Sequence, residues 1–195
     1  MRDLTVVTGV PGVGASRVCQ AARSRLGEAY TLLNFGDVML ERAMTRDRDL
    51  VTDRDDLATL PRREIRILQR RAAEFVASTA RNRSVILDTH LAVATAHGFL
   101  TGLPDTVLAD LDPSRFVLVE ADPETITDRR DTVDSREYRE QGQRAVDFHQ
   151  DLNRAAAMTH SVATGAPVRL VENTGPVEEA AADLVAIVSE GDPSR

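Results

Sequence analysis

The residues best equipped for chemistry lie near the start of the chain, in Gly9-Val10-Pro11-Gly12-Val13-Gly14-Ala15-Ser16-Arg17. Gly9 and Gly14 stand at the spacing of the phosphate-binding pattern GxxxxGK[ST], and Ser16 fills its last place. Glycines there let successive backbone N–H groups converge on phosphate oxygens, and a following helix adds the positive end of its dipole. The serine hydroxyl is suited to Mg²⁺. The lysine of the pattern is missing, with Ala15 in its place. No lysine occurs anywhere in the sequence, and all 24 basic residues are arginine. Any cation acting on a phosphate must therefore be an arginine or a metal ion.

Other candidates lie further along. Asp88 ends the apolar run SVILD, where a carboxylate meets a metal ion held by a phosphate loop; the plainer alternative is that it caps the next segment. His90 has no other His or Cys at ligand spacing, which argues against zinc and leaves it a hydrogen bond to a loop or a phosphate. Arg129, Arg130 and Arg136, with Arg139 nearby, flank a turn. Guanidinium forks bind phosphates bidentately and stay charged. The same arginines could equally form solvated ion pairs with Asp128, Asp131, Asp134 and Glu137. Arg54, in VTDRDD, either holds a second anion or sits in a salt-bridged loop. The stretches NFGDVM and GFLTGLP follow strand ends and suggest a second, nucleotide-sized pocket. Cys19, the lone cysteine, reads as a small core residue.

These residues need a scaffold, and the pattern of the chain supplies one. Apolar runs at 4–7, 30–35, 84–88, 116–122 and 167–173 read as strands, the second ending at Gly36. Helices are expected over 16–26, 37–44, 61–81, a helix–turn–helix of arginines near 124–141, then 142–164 and 177–188. The segment 89–104 is read as a long functional loop before a short helix begun by Pro104. Strand–helix alternation opened by a glycine loop predicts an α/β chain: a three-layer α/β/α P-loop NTP hydrolase-like fold with a central parallel five-stranded sheet. In such sheets ligands bind beyond the carboxyl ends of the strands, where the glycine loop, Asn34–Gly36, Asp88–His90 and Asn173–Gly175 all fall.

Composition narrows the classes. With 42% hydrophobic and 28% charged residues over 195 positions, the chain suits one globular domain. A formal net charge of −7 argues against nucleic-acid binding by the surface at large. No apolar run is long enough to span a membrane, the first strand leaves no room for a signal peptide, and a single cysteine suits a reducing compartment, so the expectation is a cytoplasmic protein.

Taken together, VVTGVPGVG, NFGDVM, TDRDDL, DTH with GFLTGLP, and HQDLNRAAAMTHSVATGA resemble the archaeal adenylate kinase family in matching order. The resemblance implies reversible, Mg²⁺-dependent phosphoryl transfer from ATP to AMP, giving two ADP. It places Gly9–Arg17 on the ATP phosphates, Ser16 and Asp88 beside Mg²⁺, and Asn173–Gly175 near the ATP adenine. Asn34, Phe35, Gly36, Arg54, Gly102, Leu103 and Pro104 would form the AMP pocket. Arg129, Arg130 and Arg136 would serve catalysis from the lid side. It further implies an AMP-binding segment over about 34–82, a small lid over about 128–142 and a homotrimer. Two departures stand out: Ala15 replaces the loop lysine, and Tyr138 stands where a second lid arginine is expected, with Arg139 one place off. Two alternatives stay open. One is a P-loop kinase for another monophosphate or a small hydroxyl substrate; the other is a nucleotide-dependent regulatory or binding protein.

Overall fold

The computed structural model describes residues 3–44, 57, 60–95, 98–132 and 142–190. Strand β1 (Leu4–Thr8) is buried along its whole length, as its β-branched LTVVT run requires. It is followed by α1 (Ala15–Leu26), a short 3₁₀ turn, β2 (Tyr30–Asn34), α2 (Phe35–Met44) and α3 (Arg62–Ala80). Then come β3 (Ser84–Thr89), the short strands β4 (Ala92–Thr95) and β5 (Gly98–Thr101), and α4 (Asp105–Leu111). The chain finishes with β6 (Arg115–Glu120), α5 (Pro123–Asp131), α6 (Gln143–Thr164), β7 (Val168–Glu172) and α7 (Val177–Ser189).

Five strands form one parallel sheet in the order β2-β3-β1-β6-β7. Alternate residues of each strand face opposite layers. Leu4 and Val6 join one core with Phe35, Leu68, Val76, Leu111 and Ala157, contributed by α2, α3, α4 and α6, and with Leu103 from the segment before α4. Val7, Ile86 and Val117 join the other with Val18, Ala22, Ile126 and Leu184, from α1, α5 and α7. The expected three-layer fold is thus present. From β1 the chain passes to the edge strand β2, returns to β3 beside β1, and then crosses to β6 and β7 on the other side, so β1 lies at the switch point where the two halves of the sheet meet and a crevice is expected at its carboxyl end.

Two expectations need correction. The segment 89–104 is not an irregular loop: β4 and β5 pair antiparallel in it, Ala92 opposite Thr101 and Thr95 opposite Gly98. Four-residue strands are too short to carry a readable alternation, which is why length alone suggested a loop. The second strand stops at Asn34, and α2 begins directly at Phe35, placing Gly36 inside its first turn. The Asn34 side-chain oxygen accepts from the Asp37 amide at 3.3 Å, satisfying one donor of that first turn.

Candidate active site

The phosphate loop follows β1 at the switch point. Gly12 and Gly14 take φ of +88° and +89°, a region closed to most side chains and open to glycine. Gly14 also admits its neighbours closely, since a Cβ there would stand 2.7 Å from Asn173 Nδ2. The loop closes on itself through the Val13 amide on the Val10 carbonyl at 3.1 Å, and α1 takes over with Val18 N on Gly14 O at 3.0 Å. Val10, Val13 and Ala15 turn their side chains into the core, so only their backbone is offered to a ligand. Ser16 and Arg17 stand at the head of α1, where Arg17 is exposed.

Asp88, near the carboxyl end of β3, is buried beside β1 in register with Val7. One of its oxygens, Oδ2, accepts from the Ser16 hydroxyl at 2.6 Å and from Asn34 Nδ2 at 2.9 Å. The phosphate loop, the Asp88 strand end and the Asn34-Phe35-Gly36 segment therefore meet on one carboxylate. Ser16 and Asp88 supply two hard oxygen donors side by side, a set that fits Mg²⁺. Among the described residues no cluster of three or more His, Cys, Asp or Glu could hold a metal ion. His90 is exposed, and its Nδ1–H donates to the Gly9 carbonyl at 2.7 Å, so of its two readings the loop contact is the one realised.

The loop carbonyls are held from behind. Arg129 Nη1 and Asn173 Nδ2 both donate to the Val13 carbonyl, at 3.1 and 2.7 Å. Arg130, 3% exposed, donates through Nε to the Pro11 carbonyl at 2.8 Å. The sequence suggests that these three side chains act on nucleotide; in the structure they buttress the loop that would hold it. Arg54 and Arg136, with Tyr138 and Arg139, lie outside the described residues.

A family model described as an AAA domain matches residues 8–146. A shikimate kinase from Bacteroides thetaiotaomicron shares the fold, with a TM-score of 0.64 over 96% of this chain and 98% of its own at 14% identity. An adenylate kinase of Methanopyrus kandleri is 43% identical over 192 residues, covering 96% of this chain and 98% of that protein. One of Pyrococcus horikoshii is 38% identical over 190 residues, 96% of each. The chain belongs to the adenylate kinase family.

Within that family frame, the residues expected to face an acceptor nucleotide divide by what they can offer. Phe35 and Leu103 are buried in the core, leaving their backbone for recognition. Gly102 is required for close packing: a Cβ there would fall 1.7 Å from the His90 carbonyl oxygen. Its amide donates to the Leu91 carbonyl at 3.0 Å, and Pro104 directly precedes α4. Cys19 is fully buried; burial first, and the nearby Asp88 charge second, push its thiol well above the usual range, so it is an inert core residue. Burial lowers the His149 pKa, the hydrogen bond to the Ala92 carbonyl opposes this, and the nearby Arg130 guanidinium lowers it further.

Sequence reasoning missed a set of buried polar residues behind the site: Thr8, Gln69, His149, Gln150 and Asn153. The available signal was their position. Thr8 closes a buried strand and Gln69 lies among buried apolar positions of α3, whereas His149, Gln150 and Asn153 sit on a largely polar buried face of α6, and a buried polar group must find a partner. No described helix is long and apolar enough to cross a membrane.

Proposed function

We propose that this adenylate kinase transfers the γ-phosphoryl group of ATP to AMP in a Mg²⁺-dependent, reversible reaction giving two ADP. The observation that carries the reading is the shared Asp88 oxygen, on which the donor loop (through Ser16) and the NFG segment (through Asn34) converge. Two nucleotide phosphates bound on those two loops would meet end to end. An oxygen of the AMP phosphate attacks the γ-phosphorus, the bond to the β–γ bridging oxygen breaks, and the bridging oxygen leaves with the first ADP. No covalent enzyme intermediate is needed, so positioning and charge neutralisation do the work.

In this reading backbone N–H groups of Gly9–Arg17 cradle the ATP phosphates, and Ser16 with Asp88 hold Mg²⁺. When bound, the ion neutralises charge on the phosphate oxygens. Asn34, Phe35, Gly36, Arg54, Gly102, Leu103 and Pro104 orient AMP. Arg129, Arg130 and Arg136 neutralise transition-state charge from the lid over about 128–142; for the first two this requires release from the loop carbonyls they hold. Lid closure excludes water, which would otherwise accept the phosphoryl group. The protein is cytoplasmic and, as the resemblance implies, assembles as a homotrimer, which sedimentation would check.

The decisive assay supplies purified protein with MgATP and a panel of acceptors: AMP, CMP, UMP and shikimate. ADP formation with AMP above an ATP-only control is expected. Preference for another acceptor, or none, refutes the assignment.

A further inference from the structure

Thr8 and Asn153 are buried polar residues separated by 145 positions, and neither is needed for packing as a polar group. Valine has the shape of threonine and would suit a fully buried strand as well. On α6, Asn153 occupies a buried position that an aliphatic side chain would fill at no desolvation cost. The Thr8 hydroxyl serves two partners, and Asn153 is one of them. The Thr8 hydroxyl donates to Asn153 Oδ1 at 3.0 Å and accepts from the Leu91 amide at 3.1 Å.

The contact does not end at Leu91. The Leu91 carbonyl accepts from the Gly102 amide at 3.0 Å, and the Gly102 carbonyl accepts from the buried Gln69 side-chain amide on α3 at 3.3 Å. A continuous hydrogen-bonded chain thus runs from α6 through Thr8, across the stem of the β4–β5 hairpin, to Gly102 and α3. Thr8 is the residue immediately before Gly9, the first glycine of the donor loop. Gly102 opens the Gly102-Leu103-Pro104 segment on the acceptor side. Neighbouring bonds brace the same line: His90 Nδ1–H on the Gly9 carbonyl, and His149 Nε2–H on the Ala92 carbonyl at 2.9 Å. Gln150 grips the Ala121 backbone through both ends of its side-chain amide, and Arg154 forms a fork with Glu120 at 2.8 Å for each bond.

We propose that Thr8 and Asn153 are positioning residues that fix the spacing between the donor loop and the acceptor segment. The proposal rests on the assignment of phosphoryl transfer from ATP to AMP. Both side chains are buried, at 0% and 2% exposed, and so closed to a nucleotide, which leaves each loop to bind its own ligand without them. What they set is the relative placement of two phosphates that must lie in line. A displacement on the order of 1 Å at such a junction costs roughly a hundredfold in rate. The signature is therefore a loss of kcat with the affinity for each nucleotide intact.

The test uses Thr8→Val, Thr8→Ser and the pair Thr8→Val/Asn153→Leu in the full chain. Turnover, KM for ATP and AMP, calorimetric affinity for each nucleotide alone, and urea stability are measured. Thr8→Val should lower kcat about ten- to hundredfold while both affinities stay within about twofold. Thr8→Ser, which restores the hydroxyl, should recover most of the turnover. The double variant removes both buried polar partners, so it should regain stability relative to Thr8→Val and yet stay slow. Unchanged kcat in Thr8→Val, failure of Thr8→Ser to recover it, or return of both stability and turnover in the double variant each overturns the proposal. Wild-type protein that makes no ADP from ATP and AMP refutes the acceptor assignment instead. An active wild type with an equally active Thr8→Val refutes the relay alone.

Discussion

Replacing Gly14 with alanine strikes the phosphate loop at two distinguishable points. The residue sits at φ +89°, and its new Cβ would stand 2.7 Å from Asn173 Nδ2, with Arg129 Nη1 at 4.0 Å. The backbone alone costs about 1–2 kcal/mol, because an L side chain in the left-handed region meets its own carbonyl. The close approach expels the Asn173 amide from the Val13 carbonyl, a buried 2.7 Å bond whose loss costs about 1–3 kcal/mol. Arg129 still serves that carbonyl at 3.1 Å, so the lower part of that range applies. The single variant should therefore lose about 2–4 kcal/mol in urea unfolding without nucleotide. In an Asn173→Ala background the obstructing amide is absent, and Gly14→Ala should cost only the backbone share, about 1–2 kcal/mol. A double-mutant cycle should accordingly show a coupling of about 1–2 kcal/mol. Equal costs of Gly14→Ala in the two backgrounds would refute the role of Asn173 as a restraint on the loop.

Three more perturbations probe other parts of the fold. Asp3 and Arg115 form a largely buried ion pair at 3.1 Å at the amino-terminal end of the sheet, so Asp3→Asn should cost about 3–5 kcal/mol in denaturant unfolding and leave KM values unchanged. His160 is buried against the Phe116 ring, and burial lowers its pKa, with Asp105 opposing. Its folded pKa lies below the unfolded value of about 6.5. The unfolded chain therefore takes up the proton first, and stability present above that pH is lost as pH falls through and below it. Thermal scans from neutral to mildly acidic pH should show a shallower decline for His160→Leu than for wild type. Ala15, the first residue of α1, is 6% exposed and packed in the core, so Ala15→Lys must force a longer side chain out of a filled site. We expect lower stability and no gain in turnover; a large gain would mean that the loop is impaired for want of a lysine.

Much of the fold and of the site was legible in the sequence, and the limits of legibility have physical causes. The buried β-branched run at 4–7 and the glycine spacing after it located the switch point, because strand burial and positive φ both restrict residue type. Asp88 was legible for a similar reason, as an acid closing an apolar strand. The β4–β5 hairpin was not, since four-residue strands lack a period long enough to read. Nor were the tasks of Arg129, Arg130 and Asn173, which donate to backbone carbonyls. A carbonyl acceptor exists at every position and leaves no mark on the residue type that carries it. The Thr8–Asn153 pair was not legible either: Asn153 lies among other polar residues on the buried face of α6, and only the fold brings the two together.

The grip on the loop from behind has a stereochemical consequence. A trans peptide unit is planar, and its C=O and the following N–H point in opposite directions. Fixing the Pro11 and Val13 carbonyls toward α5 and Asn173 therefore turns the N–H bonds of Gly12 and Gly14 to the opposite side, into the hollow of the loop. Each guanidinium also polarises the peptide it holds, leaving the far amide proton more positive. In a chain without lysine, an anion in that hollow thus meets polarised amide protons for as long as Arg129 and Arg130 stay on the loop carbonyls, and their release would exchange that peptide-borne charge for the guanidinium itself.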